Sequence, residues 1–200
     1  VEKLDGLGIE VLRIGHPARL TPEVIENSLD VKISKHPFFK ELREIRKRSD
    51  EYRKKGLKYK RNFGHEERMQ RKMVMHEAKM LKGDADRIES QITEDLVDRT
   101  QVIACTLVGS THRLLQDRTF RSVFIDEASQ ALEPACWIAI KKAYRVIMAG
   151  DHLQLPPTIK SLKAAKDGLA NTLFEKAIKH IDESVMLETQ YRMHPDIMKF

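Results

Sequence analysis

The chain has 200 residues, 41% of them hydrophobic and 33% charged, and a formal net charge of +6. This length suits one generous domain, and this apolar share suffices for a packed core. No apolar run approaches the ~18 residues that span a bilayer, and the first ten residues, VEKLDGLGIE, lack the basic start, apolar run and cleavage site of a signal peptide.

Residues 9–14 (IEVLRI) predict a short strand, being β-branched and apolar. It is closed by Gly15-His16-Pro17, and Pro22 and Asn27 punctuate a short helix or loop beyond it. Two long helical patterns follow. In the first, Phe38, Leu42, Ile45, Ser49 and Tyr52 step by four and three, with Gly56 placed as its C-cap. In the second, Met69, Met73, His76 and Met80 take the same steps, and the stripe resumes after Gly83-Asp84 at Ala85, Ile88, Ile92 and Leu96. Two such helices joined by a polar loop predict an antiparallel hairpin with a coiled-coil-like seam. The methionine stripe is expected in its core, and Gly83 is expected to weaken or kink the second helix, at about 1 kcal/mol relative to Ala. Between residues 40 and 82, sixteen Lys/Arg stand against seven Asp/Glu, a local net of +9 that leaves about −3 for the remainder. Such a block is the footprint of a polyanion-binding surface or of an ordinary solvated helix face.

The pattern changes after Arg99. Short apolar runs at residues 101–106, 122–125, 145–149 and 184–187 predict strands. They alternate with a helix opened by Glu133-Pro134 and running to residue 140, and with a helix over residues 172–180 capped by Asn171. Strands alternating with helices imply a parallel sheet covered on both faces. The fold class is therefore α/β, with the helical hairpin as an insertion into it. Cys105 and Cys136 sit in apolar contexts and are expected to be small buried hydrophobes in a reducing, intracellular compartment. No CxxC or closely paired Cys/His spacing offers a structural zinc site.

Three segments carry chemistry. In Val123-Phe124-Ile125-Asp126-Glu127-Ala128-Ser129, an apolar strand delivers two carboxylates at its C-terminal end, the edge at which open α/β sheets bind ligands. Nucleotide hydrolysis needs one carboxylate for Mg²⁺ and one to activate water, although acidic residues after strands also serve as helix caps. In Gly150-Asp151-His152-Leu153-Gln154-Leu155-Pro156-Pro157-Thr158, a proline-stiffened loop presents Gln154, an amide able to donate to a phosphate and accept from a water. The third, Gln190-Tyr191-Arg192-Met193-His194-Pro195, offers a guanidinium for phosphate and a ring for a base.

Taken in this order, the three segments resemble motifs II, III and IV of superfamily 1 helicases. They are most similar to the up-frameshift branch of superfamily 1B, with the immunoglobulin mu-binding helicase and senataxin. Arg13-Ile14-Gly15-His16-Pro17-Ala18-Arg19, residues 102–106 ahead of Gly109, and Lys163-Ala164-Ala165-Lys166-Asp167-Gly168-Leu169 leading to Leu173-Phe174-Glu175 extend the match. The resemblance implies a RecA-like P-loop NTPase sheet with ATP and Mg²⁺ as ligands. Asp126 would hold Mg²⁺ and Glu127 would activate water. Gln154 would meet the γ-phosphate and the attacking water, Tyr191 would stack on adenine, and Arg192 would touch the γ-phosphate. Thr106, Pro157 and Thr158 would lie near the backbone of a single-stranded DNA or RNA.

The same resemblance divides the chain into residues 1–35 (first RecA-like domain), 36–99 (inserted hairpin, like subdomain 1C), 100–187 (first domain resumed, with motifs II and III) and 188–200 (start of the second domain). No Gly-Lys dipeptide occurs, so the GxxxxGK[ST] loop is absent from these residues. In the family it lies upstream, and the second motor domain lies downstream. The expectation is a core fragment of an ATP-dependent helicase or translocase with 5′-to-3′ polarity, inactive as an ATPase without that loop. The alternatives are an ATP-driven remodeller of protein–nucleic acid complexes and a catalytically inactive binding module.

Overall fold

The computed structural model describes residues 2–15, 22–58, 64–181, 184–189, 191, 193–194 and 196–197. The chain forms two compact units, residues 1–118 and 119–200.

The first unit opens with α1 (Glu2–Asp5) and β1 (Val11–Arg13), followed by α2 (Pro22–Ile25) and α3 (Leu29–Lys35). Two long helices, α4 (Phe39–Leu57) and α5 (His65–Arg99), precede β2 (Val102–Ala104). β2 pairs in parallel with β1, Val11 opposite Val102 and Arg13 opposite Ala104, although both long helices intervene in sequence. Val11 and Leu12 are fully buried.

The helical core is formed by Ile33, Leu42, Ala85 and Ile92, with Leu29, Phe39, Ile45, Ile88 and Leu96 packed around it. Ser49 Oγ donates to the Ala78 carbonyl at 2.9 Å, and Arg46 pairs with Glu89 at 2.6 Å, so α4 and α5 run antiparallel. At the base of α3, Phe38 N–H donates to His36 Nδ1 at 3.2 Å. That bond leaves the Nε2 hydrogen for Asp95, 3.1 Å away.

Several expectations change here. Gly56 does not cap α4. It lies inside the helix, where a Cβ would come within 2.6 Å of Met75 Sδ, so it is a contact point between the helices. Gly83 does not interrupt α5, which runs unbroken for 35 residues. Its neighbours Leu81 and Ala85 are both buried, and that packing outweighs the propensity cost of one glycine. Met69, Met73 and Met80 are not core, being 50%, 63% and 48% exposed. The face toward α4 runs instead through Val74, Ala78, Leu81, Ala85, Ile88 and Ile92, where alanines at 78 and 85 let the backbones approach. Cys105 is exposed, because it follows the last residue of β2.

The second unit holds β3 (Phe120–Ile125), α6 (Glu133–Ile140), β4 (Ala143–Met148), α7 (Leu162–Ala164) and α8 (Leu173–His180). β3 and β4 pair in parallel, Phe120 opposite Ala143 and Ile125 opposite Met148, with α6 as the crossover. Pro134 stands in the first turn of α6, as predicted. Cys136 is fully buried, as expected.

Asn171 is not the cap of α8. Thr172 is, its Oγ1 accepting from Glu175 N–H at 3.1 Å while Glu175 Oε2 accepts from Thr172 N–H at 2.9 Å. This reciprocal box outcompetes Asn171, one residue too early to reach N3. The run at residues 184–187 forms no strand. Val185, Met186 and Leu187 are each more than 80% exposed, and no described strand pairs with them, so the ladder that would define a strand is missing. Among the described residues, the β3–β4 sheet is not covered on both faces. Phe124 and Tyr144 fall on opposite faces by register and are 75% and 87% exposed. Among the described residues, no helix is long and apolar enough to cross a membrane.

Candidate active site

The strands of the second unit deliver their candidate residues at the C-terminal edge. Ile125 ends β3 buried, Asp126 and Glu127 follow exposed, and Ala128 and Ser129 are buried again. Burial on either side thus fixes the two carboxylates outward. Glu127 adopts φ 51° and ψ 38°, the left-handed region that L-residues occupy at a cost of about 1–2 kcal/mol. Among the described residues it is the only non-glycine with positive φ. Strain of this kind collects at functional sites and persists where the surroundings hold it.

Those surroundings are the loop after β4. Ala149 N–H donates to Ile125 O at 2.9 Å, and Ala128 N–H donates to Ala149 O at 2.8 Å. Asp151 N–H donates to Ser129 Oγ at 3.2 Å. Gly150 passes so close that a Cβ there would lie 2.9 Å from Ser129 N and 3.2 Å from Ala128 N. Only glycine leaves that approach open. Asp126 Oδ1 accepts from Glu127 N–H at 3.0 Å, and Gln130 Nε2 donates to Glu127 Oε2 at 3.1 Å. The carboxylate of Glu127 is therefore held while remaining exposed.

Gln154 is held by Asp151. Its Nε2 donates to Asp151 Oδ2 at 3.0 Å, and Leu153 N–H donates to Oδ1 at 2.9 Å. The Leu153 amide, and then Gln154 and His152, keep the Asp151 carboxyl below its usual pKa. Leu153 and Leu155 contribute no packing, at 85% and 79% exposed. Sequence reasoning gave no role to Asp151, Ser129 or Gln130. The first was legible as an Asp two residues ahead of the amide it accepts from, the signature of an Asx turn.

The structure thus brings Asp126, Glu127 and Gln154 onto two loops stitched together. Pro157 is buried and Thr158 exposed further along the second loop. Tyr191 is 94% exposed. Arg192, like residues 16–19 of the matched first segment, lies outside the described residues. Thr106 belongs to the other unit, exposed after β2, with Oγ1 accepting from Gly109 N–H at 3.0 Å. Among the described residues, no group of three or more His, Cys, Asp or Glu side chains is placed to hold a metal ion by itself. A groove of about 620 Å³ elsewhere in the second unit is lined by Glu133, Trp137, Asp167, Gly168 and Asn171 among others. None of the candidate catalytic residues borders it.

Comparison with known proteins places the chain in a family. Residues 1–162 match one AAA domain family, and residues 169–200 match a second. The chain belongs to the AAA-domain helicases of superfamily 1B. It is 36% identical over 202 residues to the DNA polymerase alpha-associated DNA helicase A of Schizosaccharomyces pombe, covering 100% of this chain and 29% of that protein. An uncharacterized ATP-dependent helicase of Methanocaldococcus jannaschii is 32% identical over 221 residues, covering 96% and 33%. The DNA-binding protein SMUBP-2 of Rattus norvegicus is 37% identical over 206 residues, covering 100% and 20%. The chain therefore spans a fifth to a third of the length of these relatives. Membership implies a RecA-like fold and nucleotide use.

Proposed function

We propose that this chain is the catalytic core segment of an ATP-dependent helicase or translocase acting on single-stranded DNA or RNA with 5′-to-3′ polarity. In this reading residues 1–35 and 100–187 form the first RecA-like domain. Residues 36–99 are a hairpin inserted into it, and residues 188–200 open the second. The parallel pairing of β1 with β2 across both long helices supports the insertion.

The observation that carries the reading is the pair of stitched strand-end loops, with Glu127 strained outward and Gln154 anchored by Asp151. Mg²⁺ in nucleotide sites takes one or two carboxylates plus phosphate oxygens and waters, and exposed Asp126 fits that donor set. The ion, once bound with ATP, supplies charge stabilisation for the transferring phosphoryl group. Glu127, its Oε2 steadied by Gln130, accepts the proton of the attacking water. Gln154 orients that water beside the γ-phosphate, and its anchoring on the loop after β4 links nucleotide state to the neighbouring Pro157 and Thr158 at the strand. Arg192 and Tyr191 complete the site on the phosphate and the adenine, and Thr106 contributes to the strand contact.

The test is Glu127→Gln in the full-length protein. ATP binding should persist, and strand-stimulated turnover should fall about 10²–10⁴-fold, the usual contribution of a general base. Turnover near the wild-type level would place the base elsewhere.

A further inference from the structure

The α5 helix carries two seams of the same period on opposite faces, the inner one apolar and the outer one methionine-rich with a histidine. The inner one packs on α4. The outer one, Met69–Met73–His76–Met80, is exposed throughout and ends at Gly83. Written as a heptad, 69 and 76 are d positions and 73 and 80 are a positions. Lys72 and Lys79 then occupy g, while Glu77 and Asp84 occupy e. Lys72, Lys79 and Glu77 are exposed. The Asp84 side chain is 45% exposed, paired with Arg87 at 3.0 Å.

One flank of the seam is therefore basic and the other acidic. We propose that this outer face is a self-association seam through which two copies of the chain pair with parallel α5 helices. In parallel coiled coils, g of one helix meets e of the next heptad of its partner. Here that rule brings Lys72 to the partner copy's Glu77, and Lys79 to its Asp84, twice over by symmetry. An antiparallel pair would set g against g and e against e, lysine on lysine and carboxylate on carboxylate. The charges thus select both the occupant and its direction. A nucleic acid strand fits less well, since Glu77 and Asp84 would repel its phosphates along the edge they occupy, where Gln70 holds the remaining e position. The seam covers eleven residue steps, about 16 Å of helix, so pairing is reversible and of the transient class.

Sedimentation equilibrium of the full-length protein, without nucleotide or nucleic acid, tests this. Wild type should self-associate, and Met73→Glu should weaken association at least about tenfold. Lys72→Glu with Lys79→Glu should do the same, and mixing that variant with Glu77→Lys/Asp84→Lys should restore pairing between the two. For orientation, in a background with Cys105 and Cys136 replaced, Met69→Cys should crosslink with itself on mild oxidation and not with Met80→Cys. A wild type that stays monomeric to hundreds of micromolar overturns the proposal, as does a 69–80 crosslink. A Met73→Glu variant that loses strand affinity at unchanged mass would assign the seam to nucleic acid and overturn it equally. Because these readouts use no ATP, they stand apart from the fate of the helicase reading.

Discussion

The strand-end loops of the second unit and the α4–α5 pair of the first are built on opposite principles. The loops hold a few polar side chains by specific hydrogen bonds, and the residue types at Asp126, Gly150, Asp151 and Gln154 are fixed by a bond or a close approach. The helical pair is held mainly by apolar contacts that any residue of similar volume could supply, with the Ser49 and Arg46 contacts at its edge. What it demands at Gly56, Ala78 and Ala85 is space alone. A site built by chemistry announces itself in residue identity. A site built by packing announces itself only in period, and period is shared by faces with different fates.

The sharpest way to break this comparison is to pit the two seams of α5 against each other. Ile92 is fully buried in the inner seam and Met73 is 63% exposed in the outer one. Ile92→Ala should cost about 2–5 kcal/mol of stability, transfer and cavity terms together. Met73→Ala, measured at concentrations where the protein is monomeric, should stay within about 0.5 kcal/mol. Urea denaturation of both variants measures the difference, and equal losses would mean that both faces are packed.

This is also where the sequence was least legible. Met69, Met73, His76 and Met80 follow the helical period as well as Ala78, Leu81 and Ala85 do, and are larger. Side-chain size alone ranks the wrong stripe first. What decides is that small residues permit close approach of two backbones, a property of the pair of helices that neither helix displays alone. The run at residues 184–187 failed for a related reason, since β-propensity describes a fit to a pleated neighbour and none of the described strands supplies one. In contrast, Asp126, Glu127 and Gln154 were legible because adjacent carboxylates after an apolar run, and an amide in a Gly-Asp loop, are chosen for what they do. The strain at Glu127 and the bond from Asp151 N–H to Ser129 Oγ were not, because both depend on where the loop after β4 passes.

Glycines sharpen the same contrast at lower cost. Gly150→Ala would press a methyl group to 2.9 Å from Ser129 N, against backbone that cannot turn aside. A loss of about 1–3 kcal/mol is expected, together with reduced turnover, since the same contact holds Glu127 in place. Gly83→Ala meets nothing within 4 Å inside a continuous helix, and should gain up to about 1 kcal/mol. Thermal melts of the pair should therefore move in opposite directions. A stabilised Gly150→Ala protein would show that the two loops are not stitched as described.

The smallest effect concerns the capping box of α8 and reads polar precision through pH. The Thr172 backbone amide, with its hydroxyl adding, keeps the Glu175 carboxyl below its usual pKa. A carboxylate whose folded pKa is depressed adds stability that is present above its unfolded value, about 4.3. That stability is lost as pH falls through the folded pKa. Thr172→Ala removes the N-cap acceptor, at a cost of about 0.5–2 kcal/mol near neutrality, and removes the hydroxyl contribution to the shift. As pH falls below about 4.3 and the wild type loses the ionised form of Glu175, the variant should lose less further stability. The gap between the two proteins therefore narrows on acidification. Chemical denaturation at stepped pH follows that gap. If it stays constant down to pH 3, Glu175 is titrating independently of Thr172, and the box is a contact of geometry alone.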